Sequence, residues 1–89
     1  MPRKLQVAVA AQSGAIDECV VWVNHHLVID QSPPASWTGK IPSSATPITV
    51  EASGVGISTY HVTIAVDGQT VTDADRSLQG GADVFKKSV

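Results

Sequence analysis

Val, Ile and Thr supply 26 of the 89 residues, whereas Leu supplies three and Glu two. Branching at Cβ restricts rotamers against a helical turn and suits the pleated surface of a sheet. Leu and Glu, which favour helices, are nearly absent. Seven Gly and five Pro punctuate the chain at intervals suited to short strands. The expected fold is therefore all-β: a small antiparallel β-sandwich, immunoglobulin-like in the broad architectural sense, with about seven short strands and at most one short helix. A small closed barrel is the alternative. The Cys…Trp…Cys signature of immunoglobulin domains is missing, since Cys19 is the only cysteine.

Periodicity places the strands. In Lys4 to Ala11, Leu5, Val7 and Val9 fall on one face and Gln6, Ala8 and Ala10 on the other. Gln12 to Glu18 reads as a polar turn. Cys19 to Val23 is apolar on both faces, which predicts a central strand with Trp22 in the core. Asn24-His25 between two apolar runs predicts a tight hairpin, because His tolerates the left-handed conformation that such turns require. Asp30 to Gly39, with Pro33-Pro34, reads as a loop or sheet edge. Ile48, Val50 and Ala52 alternate as a strand. Ser53 to Gly56 is a turn or bulge, and Ile57 to Val66 is the clearest strand. Asp67-Gly68 is the strongest hairpin signal. Asp73 to Gln79 could form one capped helical turn ended by Gly80, and Asp83 to Val89 a last strand. The predicted core is Leu5, Val7, Val9, Val21, Val23, Ile48, Val50, Tyr60, Val62, Ile64 and Val66.

At 9.3 kDa, residues 1–89 make one domain, which buries roughly 63% of its unfolded surface on folding. Charged residues are 16% and the net charge is −2, so neither a disordered tail nor a basic face for nucleic acid or an anionic membrane is expected. No apolar run approaches the ~20 residues of a membrane-spanning helix. The start, Met1-Pro2-Arg3-Lys4, lacks the pattern of a secretory signal peptide, giving an expectation of cytoplasmic synthesis without export.

Several residue groups resemble parts of known chemical sites. His25, His26, His61, Cys19 and Asp30 could supply metal ligands, but adjacent strand residues point to opposite faces, so no metal site is expected. Asp73, Asp75 and Ser77 begin like a calcium loop; Leu78 and Val84 stand where that loop needs Gly and Glu. Nine Ser and three His come without a Gly-x-Ser-x-Gly elbow. Cys19, in an apolar strand, reads as a small buried hydrophobe rather than a nucleophile beside His61. Gly54-Val55-Gly56 lacks the rest of a phosphate loop. No catalytic residue and no cofactor is expected, and the chain is read as a non-enzyme.

Trp37, in a proline-stiffened loop beside Thr38 and Gly39, is either an interaction platform or a plug over the core edge. The expected contact surface joins Trp37 to Ile41, Pro33 and Pro34, with Val84 and Phe85 as a second patch. Two functions follow. The first is a structural or assembly protein, a β module that forms homo-oligomers or docks on a larger scaffold, for example a phage capsid decoration or cement protein that enters the virion. The alternative is a carbohydrate-binding module or lectin, which a single Asn and four aromatic residues disfavour.

Overall fold

The computed structural model describes residues Met1–Val89 and is all-β, with six strands in one antiparallel sheet. They are β1 (Arg3–Val23), β2 (His26–Gln31), β3 (Ala35–Ile41), β4 (Pro47–Val66), β5 (Gln69–Ser77) and β6 (Ala82–Ser88). Two strands are not short. β1 has 21 residues and β4 has 20, and they run side by side down the middle of the sheet.

Their length forces a bend. A straight strand of 21 residues would span roughly 65–70 Å, yet the molecule is 42 Å in its longest dimension. The bend lies where β1 shifts register against β4 between Ala11 and Glu18. Gly14 and Gly56, both at positive φ, sit in that region. It corresponds to the predicted polar turn at 12–18 and the predicted turn or bulge at 53–56. The backbone bulges there instead of reversing, so each pair of expected short strands is one long, bent strand.

On one side of the bend, Arg3–Val9 of β1 pairs with β3, and the end of β4 pairs with β5. On the other side, Cys19–Val23 pairs with β2, and the start of β4 pairs with β6. Leu5, Val7, Val9, Tyr60, Val62 and Ile64 from the first half share one buried cluster with Cys19, Val21, Ile48 and Val50 from the second. These side chains are 0–1% exposed. With no helix to cover them, only the opposite half of the same sheet can do so. The total accessible surface of 4895 Å² also matches the ~5000 Å² of a compact monomer of this mass. The arrangement fits a sandwich whose two layers are halves of one hydrogen-bonded sheet. No ladder joins β2 to β3 or β5 to β6, so the barrel alternative does not form.

Side-chain clasps hold the halves together. At the end opposite the bend, the open end, Arg3 donates to the main-chain oxygens of Pro42 (3.0 Å), Ser44 (2.6 Å) and Val89 (3.1 Å). Along the β5–β6 edge, Tyr60 Oη donates to Asp83 Oδ2 at 2.5 Å. Arg76 donates from Nε to the same oxygen at 2.9 Å and from its terminal nitrogen to Oδ1 at 3.1 Å. Burial opposes a charged Asp83, but the hydrogen bonds from Arg76 and Tyr60 outweigh it and hold the carboxyl below the usual range. Burial, and then Asp83, push the Tyr60 hydroxyl far above an ordinary tyrosine.

Three local expectations are corrected and one alternative is resolved. The helical turn at 73–79 is strand β5 through Ser77, because Asp73 and Asp75 pair in register with Thr63 and His61. Of the loop and sheet-edge readings of 30–39 the edge holds: the segment contains the end of β2 and most of β3, each paired only with β1, and Ser32-Pro33-Pro34 is the connection. Val66 is only partly buried, at the end of β4. Trp22 is not in the core. The rest of the predicted core is buried, joined by Ile16, Ile29, Ala35, Ile41, Ala52 and Leu78.

Both predicted hairpins form. Asn24 and His25 have φ of 50° and 66°, and Asp67 and Gly68 have 51° and 81°. Positive φ at both central positions is the I′ geometry that matches strand twist. Gly68→Val should therefore cost ~1–2 kcal/mol, since a β-branched residue resists that conformation while no neighbour lies within 4 Å. An unchanged melting temperature in a thermal scan would contradict the turn.

Candidate functional site

The residues of the two expected contact patches differ in exposure. Ile41 is 3% exposed and belongs to the core. Trp37 is half-buried, packs against that core from β3 and lines a cleft together with Ile41. Pro33 and Pro34 lie in the β2–β3 connection, with Pro34 exposed. Phe85 points inward against the core, with the Arg76 guanidinium 5.2 Å from its ring centre. Val84 is exposed on the opposite side of β6.

Val84 belongs to a different surface, the outer face of the half formed by β2, β1, β4 and β6. Alternation puts Cys19, Val21 and Val23 inside, so Glu18, Val20 and Trp22 face out. Register then builds rows across the four strands. One row is Leu27, Trp22, Thr49 and Lys86. The next is Asp30, Val20, Glu51 and Val84. Trp22, at 37% exposure, is flanked by exposed Leu27, with half-buried Val20 and exposed Val84 in the adjoining row. A shallow depression beside its ring is lined by His25, Thr49, Glu51 and Lys86. The Asp30 carboxylate beside Glu18 disfavours its charge and raises the Glu18 carboxyl above the ordinary range.

The outward position of Trp22 is not legible from Cys19–Val23 alone, because that segment is apolar at every position. The signal lay one residue earlier. Glu18 is two and four residues from Val20 and Trp22, so if the strand includes Glu18 all three share the solvent face.

The outer face of the other half is built differently. Ser36, Ala8, Thr63 and Asp73 form one of its rows, all small or polar. His61 stands between two carboxylates there. Its Nδ1 is 2.6 Å from Asp75 Oδ1, its Nε2 meets Asp73, and Gln12 donates to Asp75 Oδ1 at 2.8 Å. These contacts, first with Asp75 and then with Asp73, raise the His61 pKa above its ordinary 6.5, while the His61 and Gln12 bonds lower that of Asp75 below 3.8. A raised histidine contributes stability below pH 6.5 and loses it as pH climbs through the folded value. A depressed aspartate contributes above pH 3.8 and loses it as pH falls. The cluster is therefore best formed between about pH 5 and 6.5. An NMR titration should find the His61 midpoint above 6.5, moved down by Asp75→Asn; an unshifted midpoint in the wild type would contradict the paired geometry.

His25 lies in the β1–β2 turn, His26 begins β2, and His61 is on the other half of the sheet, so the three do not converge. No group of three or more His, Cys, Asp or Glu side chains is arranged to hold a metal ion. Cys19 is fully buried and donates to the Gln31 carbonyl at 3.3 Å, and burial raises its pKa.

Charge is polarised along the molecule. Arg3, Lys4, Lys40, Lys86 and Lys87 lie within two registers of the open end, with Asp67 the only acid beside them. Asp17, Glu18, Asp30, Glu51, Asp73, Asp75 and Asp83 lie further toward the bend. The only cation among these, Arg76, is bound to Asp83. At the bend itself, Val55 and Ile57 project into solvent, Ile57 at 81% exposure. Comparison with family models and with curated proteins finds no match for this chain.

Proposed function

We propose that this chain is a non-catalytic structural module that works by association, with copies of itself or with a larger protein assembly such as a phage capsid. The observation that carries this reading is the outer face around Trp22. A rigid four-stranded surface presents Trp22, Leu27, Val20 and Val84 together, rimmed by Glu51, Asp30 and Lys86. Large aromatic side chains held on regular strands lose little entropy on contact, and Trp is enriched where binding energy concentrates. A domain of 89 residues also gains from burying further apolar area.

The test is sedimentation of the wild type and Trp22→Ala from micromolar to several hundred micromolar, in high salt. The wild type is expected to associate reversibly. Trp22→Ala should weaken association about tenfold or more and leave the melting temperature nearly unchanged, since the ring is outside the core. A strictly monomeric wild type that binds no assembly would remove the reading.

A carbohydrate-binding role is the second reading, favoured by the Trp22 ring standing beside Thr49, Glu51, His25 and Lys86. An aromatic plane with polar groups at its rim suits a sugar ring. Quenching of Trp22 fluorescence by glycans in a monomeric protein would favour it over assembly.

A further inference from the structure

We propose that copies of this chain join head to tail, the acidic bend of one molecule seating in the basic open end of the next. This rests on the association reading above and adds a second surface to it, distinct from the Trp22 face. Three observations combine. First, the ends carry opposite charge: Lys40 and Lys4 at the open end, Asp17 and Glu18 at the bend. Second, the bend carries an apolar projection. Gly56, at φ 60°, and the Ser58 hydroxyl, which donates to the Val55 carbonyl at 2.6 Å, shape a bulge from which Val55 and Ile57 protrude. Residues 56–58 have no ladder partner on β1, so the projection is a feature of the bulge and not part of the regular face.

Third, the open end carries an apolar recess. Val23 and Val28 from one half of the sheet, with Trp37 and Ile41 from the other, line a cleft of about 250 Å³. Lys40 and His26 stand at its rim. A projecting isoleucine with acids behind it matches a recess with a lysine beside it in both shape and charge. A second copy is the one partner certain to present both halves of this match.

The geometry makes the contact heterologous. Knob and recess are different surfaces at opposite ends of a 42 Å molecule, so each new copy leaves one free end. Assembly should grow beyond a dimer. It should also weaken with salt, because charges at the surface are screened over ~8 Å at physiological ionic strength. Apolar association through the Trp22 face would be insensitive to salt or strengthened by it.

The experiment uses two full-length variants, Ile57→Ser and Lys40→Glu. Both positions are exposed, and thermal melts confirm that each variant folds. Sedimentation velocity at low salt should show wild-type species larger than dimers, and raising salt to ~0.5 M should lower the apparent affinity about tenfold. Each variant alone should lose these species, since one lacks the knob and the other opposes it. Mixed together they should form a 1:1 dimer and nothing larger, because the variant with an intact recess can still receive the other's intact knob. A mixture that stays monomeric, or wild-type growth unaffected by salt and by both substitutions, overturns the head-to-tail contact. If growth is lost in Trp22→Ala instead, association through the outer face stands and this inference fails alone. A wild type that is monomeric at low salt overturns it as well, leaving docking of the Trp22 face on another assembly to its own test.

Discussion

Ile64→Ala should lower the stability of the domain by ~2–5 kcal/mol. Ile64 is fully buried on β4, paired in register with Val7 of β1 on one side and Thr72 of β5 on the other. Its side chain points into the space shared by both halves of the sheet, so truncation opens a cavity that neither half can fill by moving alone. β1 and β4 are each tied to partners along most of their length, and Val62 and Val50 are themselves fully buried. A chain of this size has a total stability of roughly 5–13 kcal/mol, so the loss is a large share of the whole. The melting temperature should fall by about 10 °C or more. Ile57→Ala, at an exposed bulge, removes the same atoms from solvent and should shift it little. Similar effects at the two positions would mean that the inner and outer faces of β4 are misassigned.

How much could be seen in advance follows from period. Where apolar and polar residues alternate, as in Leu5–Val9 or Tyr60–Ile64, the inward face is readable because only one register buries the apolar set. The two I′ turns were readable because few residues accept positive φ. Cys19–Val23 has no such contrast, so its pattern does not separate the buried face from the outer face that carries Trp22. The long bent strands were hidden for a different reason. Gln12–Glu18 and Ser53–Gly56 carry turn residues, and a bulge uses the same small and polar residues as a reversal. What separates the two is whether the segments beyond continue with the same partner, a pairing over distances that local composition does not report. The Asp73–His61–Asp75 cluster was hidden likewise. Asp73 and Asp75 look like helix caps until β5 is laid beside β4, and only then does His61 fall between them.

That contrast between bulge and reversal yields the second large effect, at Gly54. At Gly54 the two long strands approach each other closely at the bend. A Cβ added there would overlap the Ala15 carbonyl oxygen and lie 2.9 Å from the Ile16 Cα. Its own N–H donates to the Gly81 carbonyl at 2.9 Å, so β4 is also held from the β5–β6 side and cannot simply step away. Gly54→Ala should cost ~1–3 kcal/mol by overpacking, toward the top of that range because the obstacle is the β1 backbone rather than a side chain that can rotate. Gly56→Ala is the control. That position needs φ of 60° but has nothing within 4 Å, so its cost is limited to the left-handed conformation, about 1 kcal/mol. Chemical denaturation of both variants separates close approach from backbone conformation. If Gly56→Ala were the more damaging, the bend would be a turn of special φ and ψ, and the two halves of the sheet would be joined by a flexible corner. The expected order, with Gly54→Ala worse, means that the fold line is set by contact between strands. Two long strands then bend together, and the same closeness that excludes a side chain at Gly54 leaves Val55 and Ile57 only the outward direction.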